Sequence, residues 1–233
     1  MNILSPVEAL KKQAAEKAVE QVRSGMVVGL GTGSSARYAT MKIGELWQRG
    51  ELTRIVGIPT GEATADLARQ YGLPLATLDE YPLIDLAIDG ADEISRDGLN
   101  LIKGLGGALL REKMIEMVTH YFIVVADDRK WVDRLGTLSP LPVEVVRFGW
   151  KFTARWLATL GCQPALRGGE AQPYVTDNGN FILDCTFPAG IADPVSLARA
   201  LQDRPGVVEH GLFLGMAAEA IVAAGDGLQI VKK

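Results

Sequence analysis

The residues best suited to chemistry lie in two neighbouring segments, Asp89–Glu93 (DGADE) and Lys103–Lys113 (KGLGGALLREK). Together they combine carboxylates, a lysine and several glycines directly after a strongly apolar stretch. Carboxylates at the end of a strand, facing a lysine, can move protons, and a glycine-rich turn that enters a helix can bind an anion through its backbone N–H groups. The combination predicts an enzyme that acts on a small phosphorylated molecule.

A third segment, Gly31–Ala36 (GTGSSA), also fits a phosphate. It matches the loose dinucleotide pattern GxGxxG/A, but the next predicted strand ends in Ile58–Thr60, with no acidic residue to hold a ribose hydroxyl. It also lacks the Gly-Lys-Ser/Thr sequence of a P-loop. The segment therefore predicts a turn for a single phosphate, bound through N–H groups and the hydroxyls of Thr32, Ser34 and Ser35. The alternative is a tight turn that needs glycine only for its backbone conformation.

Each remaining candidate has a plain structural alternative. Asp89 and Asp92 could belong to a solvated loop that caps a helix, or they could hold Mg²⁺ through their oxygens. Lys103 follows Asp92 by eleven residues, and its ammonium group would compete with a metal there, although it could also be a solvated loop lysine. Glu112 could stabilise the first turn of a helix, where acidic residues are favoured.

The elements that must position these residues follow a regular pattern. Apolar strand-like runs alternate with helical patterns through residues 1–130, which predicts a Rossmann-like, mostly parallel α/β sheet. Ligands of such sheets bind beyond the carboxyl ends of the strands. The turn at Gly31, Asp89 and Asp127 all fall at predicted strand ends, so we expect the site at that edge.

The pattern changes after residue 130. The elements predicted beyond it follow the order β-α-β-β-α-β, which is typical of a smaller split-βαβ (ferredoxin-like) α+β domain, expected at residues 131–205. Its central strands are predicted as a hairpin of Tyr174–Thr176 and Phe181–Leu183 around an Asn-Gly turn. A last strand is predicted at Val207–Leu214. We therefore expect two domains, with residues 206–233 returning to the first.

Composition narrows the class of protein. The formal net charge of −4 argues against nucleic acid as a partner, because nucleic-acid-binding domains usually carry an excess of basic residues. Cys162 and Cys185 form no CxxC pattern and are expected to be buried, reduced thiols. The sequence shows no signal-peptide pattern and no apolar run long enough to span a membrane, so we expect a cytoplasmic protein. His120 and His210 are interpreted as structural.

Three segments in this order and at these separations resemble the type A ribose-5-phosphate isomerase family: Gly29–Ala36, Asp89–Glu93 and Lys103–Lys113. The similarity extends from about Leu10 to the C-terminus. The resemblance implies interconversion of ribose 5-phosphate and ribulose 5-phosphate without a metal or other cofactor. It also implies a homo-oligomer, either a dimer or a tetramer.

The resemblance further implies roles for individual residues. Glu112 would be the base that moves a proton between C2 and C1, Asp89 would help to open the furanose ring, and Lys103 would offset charge on the enediolate. The residues implied to bind substrate are Thr32, Gly33, Ser34, Ser35, Asp89, Gly90, Ala91, Asp92, Lys103, Gly104, Leu105, Gly106, Lys130 and Lys11. Two of them depart from the family's pattern: Ser35 replaces a common threonine, and Leu105 stands where glycine is frequent.

Two other classes of protein fit part of the pattern. A non-catalytic sugar-phosphate sensor could share the fold and the phosphate turn, but it would not need Glu112 beside Lys103. An acyl-CoA transferase-like enzyme would use a glutamate as a nucleophile. A nicotinamide dehydrogenase is disfavoured, since no acidic residue ends the second strand.

Overall fold

The computed structural model describes residues 4–233, which form two compact units. The first contains the chain up to Ala91, Arg111–Lys130 and Met216–Lys233, and the second contains Asp92–Leu110 and Trp131–Gly215. Residues 92–110 and 206–215 thus group with the second unit, whereas the sequence predicted both segments in the first domain. The reason is strand pairing, because short strands in both segments join one sheet there.

The helices have the following bounds: α1 Pro6–Val19, α2 Ala36–Gln48, α3 Glu62–Gln70, α4 Leu109–Met117, α5 Trp150–Ala158 and α6 Pro194–Gln202. The strands are β1 Val27–Leu30, β2 Val56–Pro59, β3 Ile84–Gly90, β4 Glu93–Ser95, β5 Leu101–Ile102, β6 Thr119–Asp127, β7 Trp131–Val132, β8 Leu141–Val145, β9 Gln163–Leu166, β10 Phe181–Thr186, β11 Val207–His210, β12 Leu212–Phe213, β13 Glu219–Ala224 and β14 Gly227–Lys232. Within residues 4–233, no helix is long and apolar enough to cross a membrane.

The first unit contains a six-stranded sheet in the order β14-β13-β6-β3-β1-β2. Its neighbours pair in parallel except for the antiparallel β13–β14 hairpin, which confirms the predicted α/β class. Apolar residues dominate the central strands, as in Val27–Leu30 and Phe122–Ala126, as expected of strands covered on both faces; β3 departs from this only at the exposed Asp85, before it ends in Asp89 and Gly90. Small residues on α1, among them Ala14 and Ala18, are fully buried against this core.

The second unit contains a sheet in the order β11-β8-β10-β9, with every neighbouring pair antiparallel. With α5 and α6 between its strands, this is the predicted split-βαβ arrangement. Asp193 caps α6 by accepting a hydrogen bond from Ser196 N at 3.0 Å. Cys162 and Cys185 are buried, free thiols in the core of this unit, as predicted.

The predicted hairpin is wrong in its first arm. Phe181 begins β10, which pairs with β8 and β9, whereas Tyr174–Thr176 forms no strand. The turn itself exists, since Gly179 N donates to Thr176 O at 2.8 Å. The Thr176 hydroxyl instead donates to the buried Glu144 carboxylate at 2.9 Å.

The predicted strand Val207–Leu214 is also wrong as one piece, because it divides into β11 and β12 at Gly211. A Cβ at Gly211 would overlap the carbonyl oxygen of Lys103. β12 then joins β5, β4 and β7 in a second sheet, in the order β12-β5-β4-β7. The buried Glu93 of β4 anchors the loop that follows β7, since its carboxylate accepts N–H bonds from Gly136, Leu138 and Ser139 at 2.6–2.7 Å.

Candidate active site

The predicted phosphate turn links β1 to α2 at the carboxyl edge of the first unit's sheet. Gly31 N donates to Ile88 O at 3.0 Å, which ties the turn to β3. Gly33 has a φ of +117°, a conformation that favours glycine. Within the described chain, the side chain of Ser35 makes no capping hydrogen bond at the start of α2. The first N–H groups of a helix lack intrahelical acceptors, so the turn presents donors to an anion.

Asp89 lies directly against this turn. It is the last residue but one of the central strand β3 and is almost fully buried. A Cβ on Gly31 would lie 2.6 Å from Asp89 Cα, so glycine allows this close approach. Gly90 N donates to Asp89 Oδ1 at 2.6 Å, and a Cβ on Gly90 would lie 3.6 Å from Ser35 Cβ. The structure thus brings together the Gly31–Ala36 and Asp89–Glu93 segments.

Lys11 reaches the turn from α1. Its ammonium group donates to Ser34 Oγ at 3.0 Å and to Glu8 Oε1 at 3.0 Å. Glu8 also accepts from Tyr38 and Arg37, each at 2.6 Å. The hydrogen bond from Tyr38, followed by that from Lys11, lowers the pKa of Glu8 to about 2, so Lys11 keeps an ionised partner at neutral pH.

Thr32 of the turn forms a hydrogen-bonded cluster with two other threonines, Thr60 and Thr64. Thr32 Oγ1 lies 2.7 Å from Thr60 Oγ1 and 2.9 Å from Thr64 Oγ1. Thr64 donates to the carbonyl oxygen of Gly31 at 3.0 Å. Thr60 follows β2 and Thr64 lies in α3, and both are buried. Neither residue was predicted from the sequence, because only the folded chain brings them to the turn.

Glu112 lies in the first turn of α4 and is buried. Ile84 N donates to Val118 O at 3.1 Å, so the end of α4 meets the start of β3 and the helix runs antiparallel to the strand. A Cβ on Gly29 would lie 2.9 Å from Ile115 Cγ2, which places Ile115 against β1. Glu112 precedes Ile115 by three residues on the same helix face, one turn nearer the edge that carries Asp89.

Lys130 lies at the same edge, in the single helical turn Asp128–Lys130 after β6. It is half-buried. Asp127, at the end of β6, is fully buried, and burial raises its pKa. The side-chain and backbone hydrogen bonds from Arg129, with the charges of Arg129 and Lys130, together outweigh that effect, and the net pKa of Asp127 is lowered.

The second unit holds the remaining predicted residues. Asp92 accepts a hydrogen bond from Leu105 N at 2.9 Å, which ties the 103–107 loop to the start of β4. Lys103 is 2% exposed, and its Nζ lies 5.4 Å from the centre of the Phe213 ring. Leu105 is exposed and has no positive φ, so the loop accepts leucine there without backbone strain.

Arg167 holds the same 103–107 loop, and it was not among the site residues predicted from the sequence. Its Nη1 donates to the carbonyl oxygens of Gly104 and Leu105, at 3.0 Å each. Its other nitrogens form a two-pronged ion pair with Asp184 at 2.9 and 2.5 Å. Arginine suits this role because its planar group offers donors in several fixed directions.

Within residues 4–233, no group of three or more His, Cys, Asp or Glu side chains is arranged to hold a metal ion. The first unit gathers a phosphate-type turn, two lysines (Lys11 and Lys130) and three buried carboxylates (Asp89, Glu112 and Asp127) at one sheet edge. The second unit holds a loop with a buried lysine. In chemical terms, the first set can bind an anion and move a proton.

Comparison with known proteins gives one consistent result. A family model described as ribose 5-phosphate isomerase A (phosphoriboisomerase A) matches residues 56–227. The chain is 52% identical over 231 residues to a ribose-5-phosphate isomerase A from Synechococcus sp. (strain JA-3-3Ab), covering 99% of this chain and 100% of the relative. It is 53% identical to one from Roseiflexus castenholzii, covering 94% and 93%.

Solved structures are similar over the same length. A D-ribose-5-phosphate isomerase in complex with phospho-erythronic acid superposes with a TM-score of 0.94 at 42% identity, covering 98% of this chain and 100% of that one. The ribose 5-phosphate isomerase A of Methanocaldococcus jannaschii gives a TM-score of 0.91 at 40% identity, covering 97% and 99%.

Proposed function

The chain belongs to the ribose 5-phosphate isomerase A family, and we propose how its own residues carry out that family's reaction. The protein is an aldose–ketose isomerase of the pentose phosphate pathway that interconverts ribose 5-phosphate and ribulose 5-phosphate. The reaction moves a proton from C2 to C1 of the open-chain sugar, and another between the two oxygens, through an enediolate. It therefore needs one base over two adjacent carbons and donors for a developing oxyanion.

Glu112 is the proposed base. Its carboxylate takes the proton from C2, and the C1 oxygen gains negative charge. A proton then moves from the C2 oxygen to the C1 oxygen, and the same carboxyl group returns its proton to C1, which leaves a ketone at C2. The support is its buried position at the start of α4, on the turn nearest the edge where Asp89 and the phosphate turn lie. One carboxylate can serve both carbons because they are neighbours in the substrate.

The other residues bind and orient the substrate. The turn from Thr32 to Ser35, with Lys11, binds the phosphate, and Asp89 binds sugar hydroxyls and assists ring opening. Lys130 binds substrate from the same sheet edge. Lys103 offsets charge on the enediolate oxygen, while Gly90, Ala91, Asp92, Gly104, Leu105 and Gly106 contact the sugar, as the family resemblance implies. No step of this proposal uses a metal ion or other cofactor.

The test is formation of ketose from ribose 5-phosphate in the presence of EDTA. We expect rapid conversion by the wild type and a loss of at least ~10²-fold in kcat for Glu112→Gln, as for removal of a general base. Glu116→Gln is the matched control, because Glu116 is equally buried one turn further along α4. Near-normal turnover by a folded Glu112→Gln variant would remove Glu112 from the mechanism, and a need for added metal would overturn the metal-free scheme.

We also propose that the protein is cytoplasmic and forms a homo-oligomer, as a dimer or tetramer. Support for association comes from a group of apolar side chains exposed in the first unit. Leu83 and Met117 are 75% and 71% exposed, and they are neighbours because Ile84 N bonds to Val118 O. Light scattering during size-exclusion chromatography measures the mass directly, and a monomer would refute the proposal.

A further inference from the structure

The hydroxyl of Thr32 donates its proton to Thr64 Oγ1, because the number of protons in the threonine cluster allows no other arrangement. Thr64 Oγ1 bonds to the carbonyl oxygen of Gly31, and a carbonyl oxygen can only accept. A hydroxyl has one proton, so Thr64 must accept in its bond to Thr32. The proton of Thr32 is thereby used, and in the remaining bond Thr60 must donate to Thr32.

The resulting chain has one direction, Thr60 to Thr32 to Thr64 to Gly31 O. Thr32 Oγ1 has only a lone pair left for any ligand, and a lone pair repels a phosphate oxygen. Ser34 is in the opposite situation, since its Oγ accepts from Lys11 Nζ at 3.0 Å. Its own proton therefore remains available to an anion.

We propose that Thr60 and Thr64 are positioning residues that fix the phosphate turn through Thr32. Thr32 then contributes its backbone to phosphate binding while its hydroxyl acts as a brace, and Ser34 is a hydroxyl donor to the anion. This inference rests on the proposed function, because it assumes that the turn binds the phosphate of the substrate. It differs from the prediction that the Thr32 hydroxyl binds phosphate directly.

The first measurement compares Thr64→Val with the wild type. Valine keeps the shape of threonine but removes the hydroxyl, so the turn loses two of its fixed bonds. We expect a 3- to 10-fold weaker affinity for inorganic phosphate by calorimetry, in line with loss of one or two buried hydrogen bonds. KM for ribose 5-phosphate should rise by the same factor with kcat within twofold of the wild type, and Thr64→Ser should restore both.

Thr40→Val is the matched control. Thr40 is as buried as Thr60, and within the described chain its hydroxyl has no hydrogen-bond partner. We expect unchanged phosphate affinity for this variant. Should Thr64→Val fail to fold by circular dichroism, Thr60→Val removes the other end of the chain and makes the same prediction.

Thr32→Val in the wild-type background separates bracing from direct contact. If the Thr32 hydroxyl acts only as a brace, Thr32→Val should weaken phosphate binding by the same 3- to 10-fold as Thr64→Val, because each variant removes two bonds of the same chain. A loss a further tenfold greater in Thr32→Val would show a direct bond from Thr32 to the anion and overturn the inference. So would wild-type phosphate affinity and KM in a folded Thr64→Val variant.

The two proposals fail in different ways. A wild type that isomerises ribose 5-phosphate, with Thr64→Val unchanged in KM, would refute the bracing role and leave the function intact. A wild type that binds phosphate in a Thr64-dependent manner but forms no ketose would refute the function and leave the bracing role intact.

Discussion

Replacing Gly31 by alanine tests whether the phosphate turn must lie against Asp89. The new Cβ would lie 2.6 Å from Asp89 Cα, whereas carbon atoms in favourable contact lie about 3.5–4.0 Å apart. Asp89 belongs to β3, which is held on both sides by β1 and β6. The strand has little freedom to retreat, so the turn must move by about 1 Å.

The size of the effect follows from that displacement. Overpacking of this kind costs about 1–3 kcal/mol in the free energy of unfolding. A displacement of about 1 Å at a substrate-positioning group can lower turnover by about 10²-fold. We therefore expect Gly31→Ala to lose about 10²-fold in turnover, equivalent to about 2.7 kcal/mol, together with about 1–3 kcal/mol in the free energy of unfolding.

The assay pairs kcat/KM for ribose 5-phosphate with urea unfolding. Gly225→Ala is the control, since a Cβ at Gly225 meets no heavy atom within 4 Å and its φ is not positive. That variant should match the wild type in both measurements. Wild-type activity and stability in Gly31→Ala would show that the turn and Asp89 do not need this close packing.

Two further changes have expected outcomes. Arg167→Ala removes the donors to Gly104 O and Leu105 O, so kcat/KM should fall about tenfold or more. Arg167→Lys should recover part of the activity. Unchanged kinetics in Arg167→Ala would mean that the loop holds its shape without this side chain. Glu8→Gln should be less stable than the wild type at pH 7 by on the order of 2 kcal/mol. The hydrogen bond from Tyr38 is the main cause that lowers the pKa of Glu8 in the folded state, from 4.5 to about 2. The stability difference, measured by urea unfolding, should therefore be full above pH 4.5 and vanish as the pH falls to 2. A stability difference that does not depend on pH would contradict this prediction.

Local patterns were sufficient for much of the first unit. The alternation of strand-like runs with helical patterns was enough to predict its mostly parallel sheet. The strand ends at Gly31 and Asp89 followed from the apolar residues before them, which stop at a glycine turn and at an aspartate. Parallel pairing then brings such ends to one edge, so the sequence was enough to group the turn with Asp89.

Contacts between distant segments could not be read from the sequence. Thr60 and Thr64 stand about thirty residues from Thr32, and Arg167 stands 63 from Gly104; nothing in their local patterns marks them. The strands of the sheet β12-β5-β4-β7 are two or three residues long, which is too short to show an alternation of apolar and polar residues. The hairpin was wrong because a turn signal fixes the turn but not the partner of each arm.

Glu93 has a consequence for how this chain can change over time. It holds the loop after β7 through main-chain N–H groups, without using the side chains of Leu138 or Ser139. Any residue except proline can supply the same N–H group. Substitutions should therefore be tolerated at those two positions as long as the Glu93 carboxylate is kept. The conformation of the loop thus depends on one strand residue that lies more than forty residues before it in the chain.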